Sequence, residues 1–137
     1  AESLPEGVKK ISMDEAFATS AVVSLHCPLK PYNKAFVNAE LLSKARKGLV
    51  LINTARGGLI DEKSVAEALH NGHLAAYACD VLAQEPPASD NPILNAPNSY
   101  VTPHIAWAGA AARGRIISIM AENLEAFLAG KPQNVVS

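Results

Sequence analysis

The chain has almost no charge imbalance: 12 Lys and Arg stand against 13 Asp and Glu, a net charge of −1. That balance excludes the basic footprint of a nucleic-acid binder or of a protein held on an anionic membrane. Long apolar runs are missing too. None approaches the roughly 20 residues that cross a bilayer, and no signal peptide is visible at the start. Cysteine is scarce. Cys27 and Cys79 both fall at apparent strand ends without metal-ligand spacing, which predicts reduced, buried thiols in a cytoplasmic protein. There is no G-x-S-x-G elbow for a serine hydrolase, no G-x-x-x-x-G-K-[ST] phosphate loop and no paired His, Cys or Asp for a metal. Internal repeats and low-complexity segments are also lacking.

What is present suits a globular domain with a real core: 49% of the 137 residues are apolar and 18% charged. The chain alternates short apolar runs with helical segments. Residues 8–11 suggest a short strand, and Ser12-Met13-Asp14-Glu15 fits a capping box opening a brief helix. Residues 21–25 (AVVSL) read as a strand that exits through His26-Cys27-Pro28. Asn38 can cap a helix over 39–45 that Lys47-Gly48 ends. Strand 49–52 follows, then a helix from Asp61 to His70 stopped by Asn71-Gly72. A third strand, 74–79, leads into Asp80, and 83–98 reads as a surface loop. Tyr100-Val101 makes a last strand before Thr102-Pro103-His104, and one long helix occupies about 109–129. Strands alternating with helices of about ten residues predict an α/β fold with a parallel sheet.

Each strand exits into a polar cluster, and ligands of open α/β sheets bind beyond the carboxyl ends of the strands. The stretch VLINTARGGLID (50–61) is the most pointed case. Two glycines suffice for a tight turn, whereas the preceding Arg56 offers a planar fork for a carboxylate or phosphate. Glu85 follows the next strand and His104 the last. Histidine exchanges protons near neutrality, and a carboxylate on its other ring nitrogen would fix the tautomer and stabilise imidazolium. Singly, each has a plainer reading. Arg56 could brace a backbone carbonyl, and Glu85 before Pro86-Pro87 could be a solvated loop carboxylate. His70 and His73 flank a helix C-terminus, where a dipole contact suffices, and His26 could cap a strand end. Joint placement after successive strands favours chemistry.

INTARGGLIDE (52–62), DVLAQEP (80–86) and TPHIAW (102–107) resemble the signature segments of the D-isomer-specific 2-hydroxyacid dehydrogenases. SLHCPL (24–29) and AENLEAFLAGKPQNVV (121–136) fit the same family, and the wording is nearest its glycerate dehydrogenase (hydroxypyruvate reductase) branch. The resemblance implies an oxidoreductase moving hydride between NAD or NADP and a small 2-keto or 2-hydroxy acid such as glyoxylate or hydroxypyruvate. It assigns substrate-carboxylate binding to Arg56, general acid/base chemistry to His104 and the orienting carboxylate to Glu85. Dinucleotide contacts fall on Cys27, Pro28, Thr54, Ala55, Arg56, Asp80, His104 and Ala106. Among the departures, Lys30 replaces a frequent Thr, and Ala76 and Ala78 replace frequent Gly. Trp107 suits the glycerate branch, though packing at a domain or subunit boundary explains it equally well.

The resemblance further implies a partial Rossmann-like, doubly wound sheet with a long C-terminal helix. Residues 1–137 would form the C-terminal part of the NAD(P)-binding domain, with βα units over 1–108 and the long helix over 109–130. The family's G-x-G-x-x-G turn and ribose-reading acid have no counterpart here. The chain alone is therefore expected to be inactive, with strand 21–25 a bare apolar edge and 8–11 a strand without its neighbour. A truncation, or a homo-oligomer such as a dimer covering that edge, is the expectation. A corepressor-like module that uses the dinucleotide without turnover is the alternative.

Overall fold

The computed structural model describes residues 4–136, which fall into two compact units, one ending at Pro103 and one beginning at His104. The first unit runs α1 (Met13–Thr19), β1 (Val22–Leu25), α2 (Ala39–Lys44), β2 (Leu49–Asn53), α3 (Glu62–His70), β3 (Leu74–Cys79) and β4 (Ser99–Val101). Two single 3₁₀ turns, Pro31–Asn33 and Gly57–Leu59, sit after β1 and β2. The second unit holds α4 (Ala110–Leu128). No helix among the described residues is long and apolar enough to cross a membrane.

Caps set the helix starts. Ser12 Oγ accepts from the Glu15 N–H at 3.1 Å, and Asn38 Oδ1 accepts from the Leu41 N–H at 3.1 Å. Helix α3 departs from this pattern: the Asp61 carboxylate takes its hydrogen bond from the Ser64 hydroxyl instead of a backbone N–H. Gly72, at φ +71°, supplies the left-handed turn that ends α3 and starts β3.

The four strands lie in the order β1-β2-β3-β4, all parallel, so every carboxyl end points the same way. Register divides the side chains by face. Leu25, Leu51, Asn53, Tyr77 and Cys79 are buried and join Phe17, Val37, Leu59 and Val65 in one core. The other face carries Val22, Val50, Ile52, Ala76, Ala78 and Tyr100, all half-buried or exposed. Burying Leu49 and Leu51 completely contributes about 1.5–3 kcal/mol each.

Residues 8–11 form no strand. Val8 and Ile11 are exposed, and β1 pairs with β2 alone. β-branched residues favour extended backbone, but a strand also needs a neighbour for its N–H and C=O groups, and none lies beside them among the described residues. Strand β1 is the open edge that the sequence leads one to expect, with Val22 53% exposed. The cysteines divide. Cys79 is buried as expected, but Cys27 is only half-buried because it follows this edge strand, with the Asn33 amide 4.0 Å from its sulfur. Burial pushes the Cys79 thiol pKa up, so it stays protonated and poorly nucleophilic. Iodoacetamide at pH 8 is therefore expected to label Cys27 first, with Cys79 labelled only when denaturant unfolds the sheet; mass mapping of the two sites reads the order.

Candidate active site

The site begins with an asparagine at a core position. Leu49, Leu51 and Asn53 alternate onto the same buried face, so Asn53 must satisfy its amide internally. Its Oδ1 accepts from the Ala55 N–H at 3.1 Å, and its Nδ2 donates to the Arg56 carbonyl at 3.0 Å. These bonds curl residues 53–56 into a compact turn and carry Arg56 out of the core. The arginine is exposed and donates from Nη1 to the Ala55 carbonyl at 2.7 Å, a local brace that leaves its other donors for an anion.

Gly57 follows because nothing larger fits. A Cβ there would lie 1.9 Å from the Leu82 carbonyl carbon and 2.1 Å from its oxygen. The turn after β2 thus packs directly on the loop after β3. That loop carries Glu85, whose Oε1 accepts from the Leu82 N–H at 2.9 Å. Glu62, in the first turn of α3, accepts from the Ala83 N–H and from Asn91 Nδ2, each at 2.9 Å. Asp80 is buried at the end of β3. Its N–H donates to the Asn53 carbonyl at 3.1 Å, and Thr102 Oγ1 donates to its carboxylate.

A pocket of about 550 Å³ opens beside these exits on the less covered face of the sheet. Ile52, Ala78 and Tyr100 belong to one register row and give it an apolar floor, with Thr54, Asp80 and Thr102 at its polar rim. The half-exposed Ala76 and Ala78 keep this face shallow. Beneath it, burial raises the pKa of both the Tyr77 hydroxyl and the Cys79 thiol, so neither carries charge near neutral pH. Among the described residues the buried Tyr77 hydroxyl makes no hydrogen bond of ordinary geometry.

The first unit therefore gathers Thr54, Ala55, Arg56, Asp80 and Glu85 at the carboxyl ends of β2 and β3, of which Thr54 and Asp80 line the pocket. Cys27 and Pro28 leave β1 at the same end of the sheet but do not line it; the Pro28 carbonyl accepts from Asn33 Nδ2 at 2.9 Å. His104 and Ala106 belong to the second unit. There His104 adopts φ +52°, a left-handed conformation uncommon outside glycine and found at sites where geometry is imposed. Sequence reasoning missed Asn53, although the alternation of β2 places it inward. It also missed the bracing role of Glu62, for which no local signal exists.

The profile of the D-isomer specific 2-hydroxyacid dehydrogenase NAD binding domain matches residues 2–106, more than half of the chain. The chain belongs to this family. It is 42% identical over 132 residues to the hydroxypyruvate reductase of Blautia hydrogenotrophica, covering 96% of this chain and 41% of that protein. With the glycerate dehydrogenase of Methylorubrum extorquens it shares 44% identity over 128 residues, 92% of this chain and 41% of the relative. Among solved structures, an acyclic imino acid reductase in complex with NADPH and D-Arg matches with a TM-score of 0.87 at 32% identity, covering 99% of this chain and 43% of that one. The chain thus spans about two-fifths of the length of the curated relatives it matches (41%). The matching family model is that of an NAD binding domain, and ligands of open α/β sheets bind beyond the carboxyl ends of the strands.

Gly57→Ala should destabilise by more than about 2 kcal/mol, read as a lower urea midpoint at unchanged m-value, because the clash is with backbone that cannot rotate away. Gly114→Ala in α4 meets no atom within 4 Å and should stabilise by up to about 1 kcal/mol. Equal effects of the two substitutions would contradict the close approach at Leu82.

Proposed function

We propose that the protein carrying this chain is an NAD(P)-dependent D-2-hydroxyacid dehydrogenase that interconverts a glyoxylate- or hydroxypyruvate-like 2-keto acid with its 2-hydroxy acid. The observation that carries this reading is the pairing of a polar-rimmed pocket with Arg56 and Glu85 at one end of a parallel sheet. The similarity to a hydroxypyruvate reductase and a glycerate dehydrogenase supports the substrate class.

The residues present suit a nicotinamide dinucleotide. The apolar floor of Ile52, Ala78 and Tyr100 accommodates a flat ring, and Asp80 at the rim can accept from a carboxamide. Cys27, Pro28, Thr54, Ala55 and Ala106 would complete the contacts, with Arg56 and His104 adjoining. When bound, the dinucleotide supplies or accepts the hydride. Arg56 holds the substrate carboxylate and draws electron density from the carbonyl. His104 gives a proton to the carbonyl oxygen in reduction and takes it from the hydroxyl in oxidation, and Glu85 fixes its tautomer and steadies the imidazolium. This reading also takes the protein as a cytoplasmic homodimer. Exposed Ile117, Met120, Leu124 and Phe127 on α4 give a partner apolar surface to cover.

The test is oxidation of NADH and of NADPH by the native full-length protein with glyoxylate and hydroxypyruvate. Reduction should weaken as pH rises and the reverse reaction strengthen, since His104 must be charged for one and neutral for the other. His104→Gln should cost about 10²–10⁴-fold in turnover in both directions. Arg56→Gln should cost about 10²-fold in kcat/KM. Wild-type turnover in either variant overturns the assignment, and dinucleotide binding without turnover of any 2-keto acid makes the protein a binding module.

A further inference from the structure

We propose that Glu62 is a positioning residue for Glu85, holding the loop that carries it against the first turn of α3. The two oxygens of Glu62 grip separate points of that loop: Oε1 takes the Ala83 N–H and Oε2 takes Asn91 Nδ2, both at 2.9 Å. Asn91 is 7% exposed, and its Oδ1 accepts from the Ile93 N–H at 2.9 Å, so its amide nitrogen is the end that faces Glu62. The Asn91 N–H also donates to the Ala88 carbonyl at 3.0 Å, closing the far side of the loop. Between the two grips lies Glu85, anchored through Oε1 to the Leu82 N–H, one residue before the Ala83 bond. Gly57 backs the same spot, its Cα against the Leu82 carbonyl. Nothing in this network needs Glu62 to touch substrate; it acts by fixing where the Glu85 carboxylate can point. The proposal rests on the reading of Glu85 as the carboxylate that orients His104.

Charge is not the requirement; two acceptors are. A glutamine at 62 presents one oxygen and one NH₂, so one of the two donors facing it loses its acceptor. Pairing Glu62→Gln with Asn91→Asp lets that NH₂ donate to the new carboxylate and restores both grips. The experiment uses the native full-length protein, with two readouts: hydrogen exchange at the Leu82 amide, which reports the Glu85 carboxylate directly, and the pH profile of kcat for 2-keto acid reduction. In E62Q, Leu82 exchange should quicken about tenfold or more and kcat should fall by roughly tenfold, with dinucleotide affinity unchanged. The descending limb of the profile should move to lower pH, because a displaced Glu85 no longer favours the imidazolium. E62Q/N91D should reverse all of these changes. N91D alone, which sets two carboxylates face to face, should act as E62Q does and replaces it should E62Q not fold.

Unchanged Leu82 exchange overturns the proposal. So does faster exchange that the double variant fails to reverse, which would make Glu62 a general brace of α3. Glu85→Gln separates this from the functional reading. If E85Q leaves the pH profile unmoved, the role of Glu85 fails, while Leu82 exchange still decides whether Glu62 places it. If E85Q moves the profile and E62Q does not, the positioning role falls.

Discussion

The Cα of Gly57 rests on the backbone of Leu82, and the geometry at this end of the sheet depends on that contact. Parallel strands bring their carboxyl ends to one side, but that alone leaves successive loops free to splay apart. Here the turn after β2 and the loop after β3 touch without an intervening side chain. The Asp80 N–H reaches the Asn53 carbonyl across the strand ends, and Glu62 holds the far side of the loop. Arg56 and Glu85 are thus mounted on two segments that cannot drift independently.

The division of labour between buried and exposed groups follows from solvation. Asn53 is fully buried and neutral, and its amide can meet its partners there at modest cost. A guanidinium at the same depth would lose several kcal/mol of hydration. The chain therefore keeps the neutral amide inside and turns Arg56 outward, where its guanidinium keeps its hydration. Tyr77 and Cys79, buried under the pocket, remain uncharged and add no competing field. The small side chain of Ala78 and the flat ring of Tyr100 complete, with Ile52, the apolar floor of the pocket.

Much of this was readable from the residues. Apolar runs bounded by Gly, Asn and Pro located β1, β2, β3 and β4 to within a residue, and Ser12 and Asn38 marked their helices because capping is local chemistry. The motifs at 52–62 and 80–86 pointed to Arg56, Asp80 and Glu85 as groups leaving strand ends. Residues 8–11 misled because strand formation depends on a neighbour that local composition does not reveal. Cys27 misled for a related reason: it follows β1, whose outer side pairs with no described strand, and so the thiol is only half-buried.

The sequence by itself determined the α/β class, the family and the caps of α1 and α2. Those properties reside in short stretches of chain, where periodicity, backbone preference and motif spacing operate. Tertiary structure alone decided that residues 8–11 form no strand, that Asn53 serves as an internal clasp, that Gly57 must be bare, and that Glu62 reaches 21 residues along the chain to Ala83 and 29 to Asn91. Such contacts join groups distant in sequence, and their hydrogen bonds exist only once packing has excluded water and brought donor and acceptor within reach.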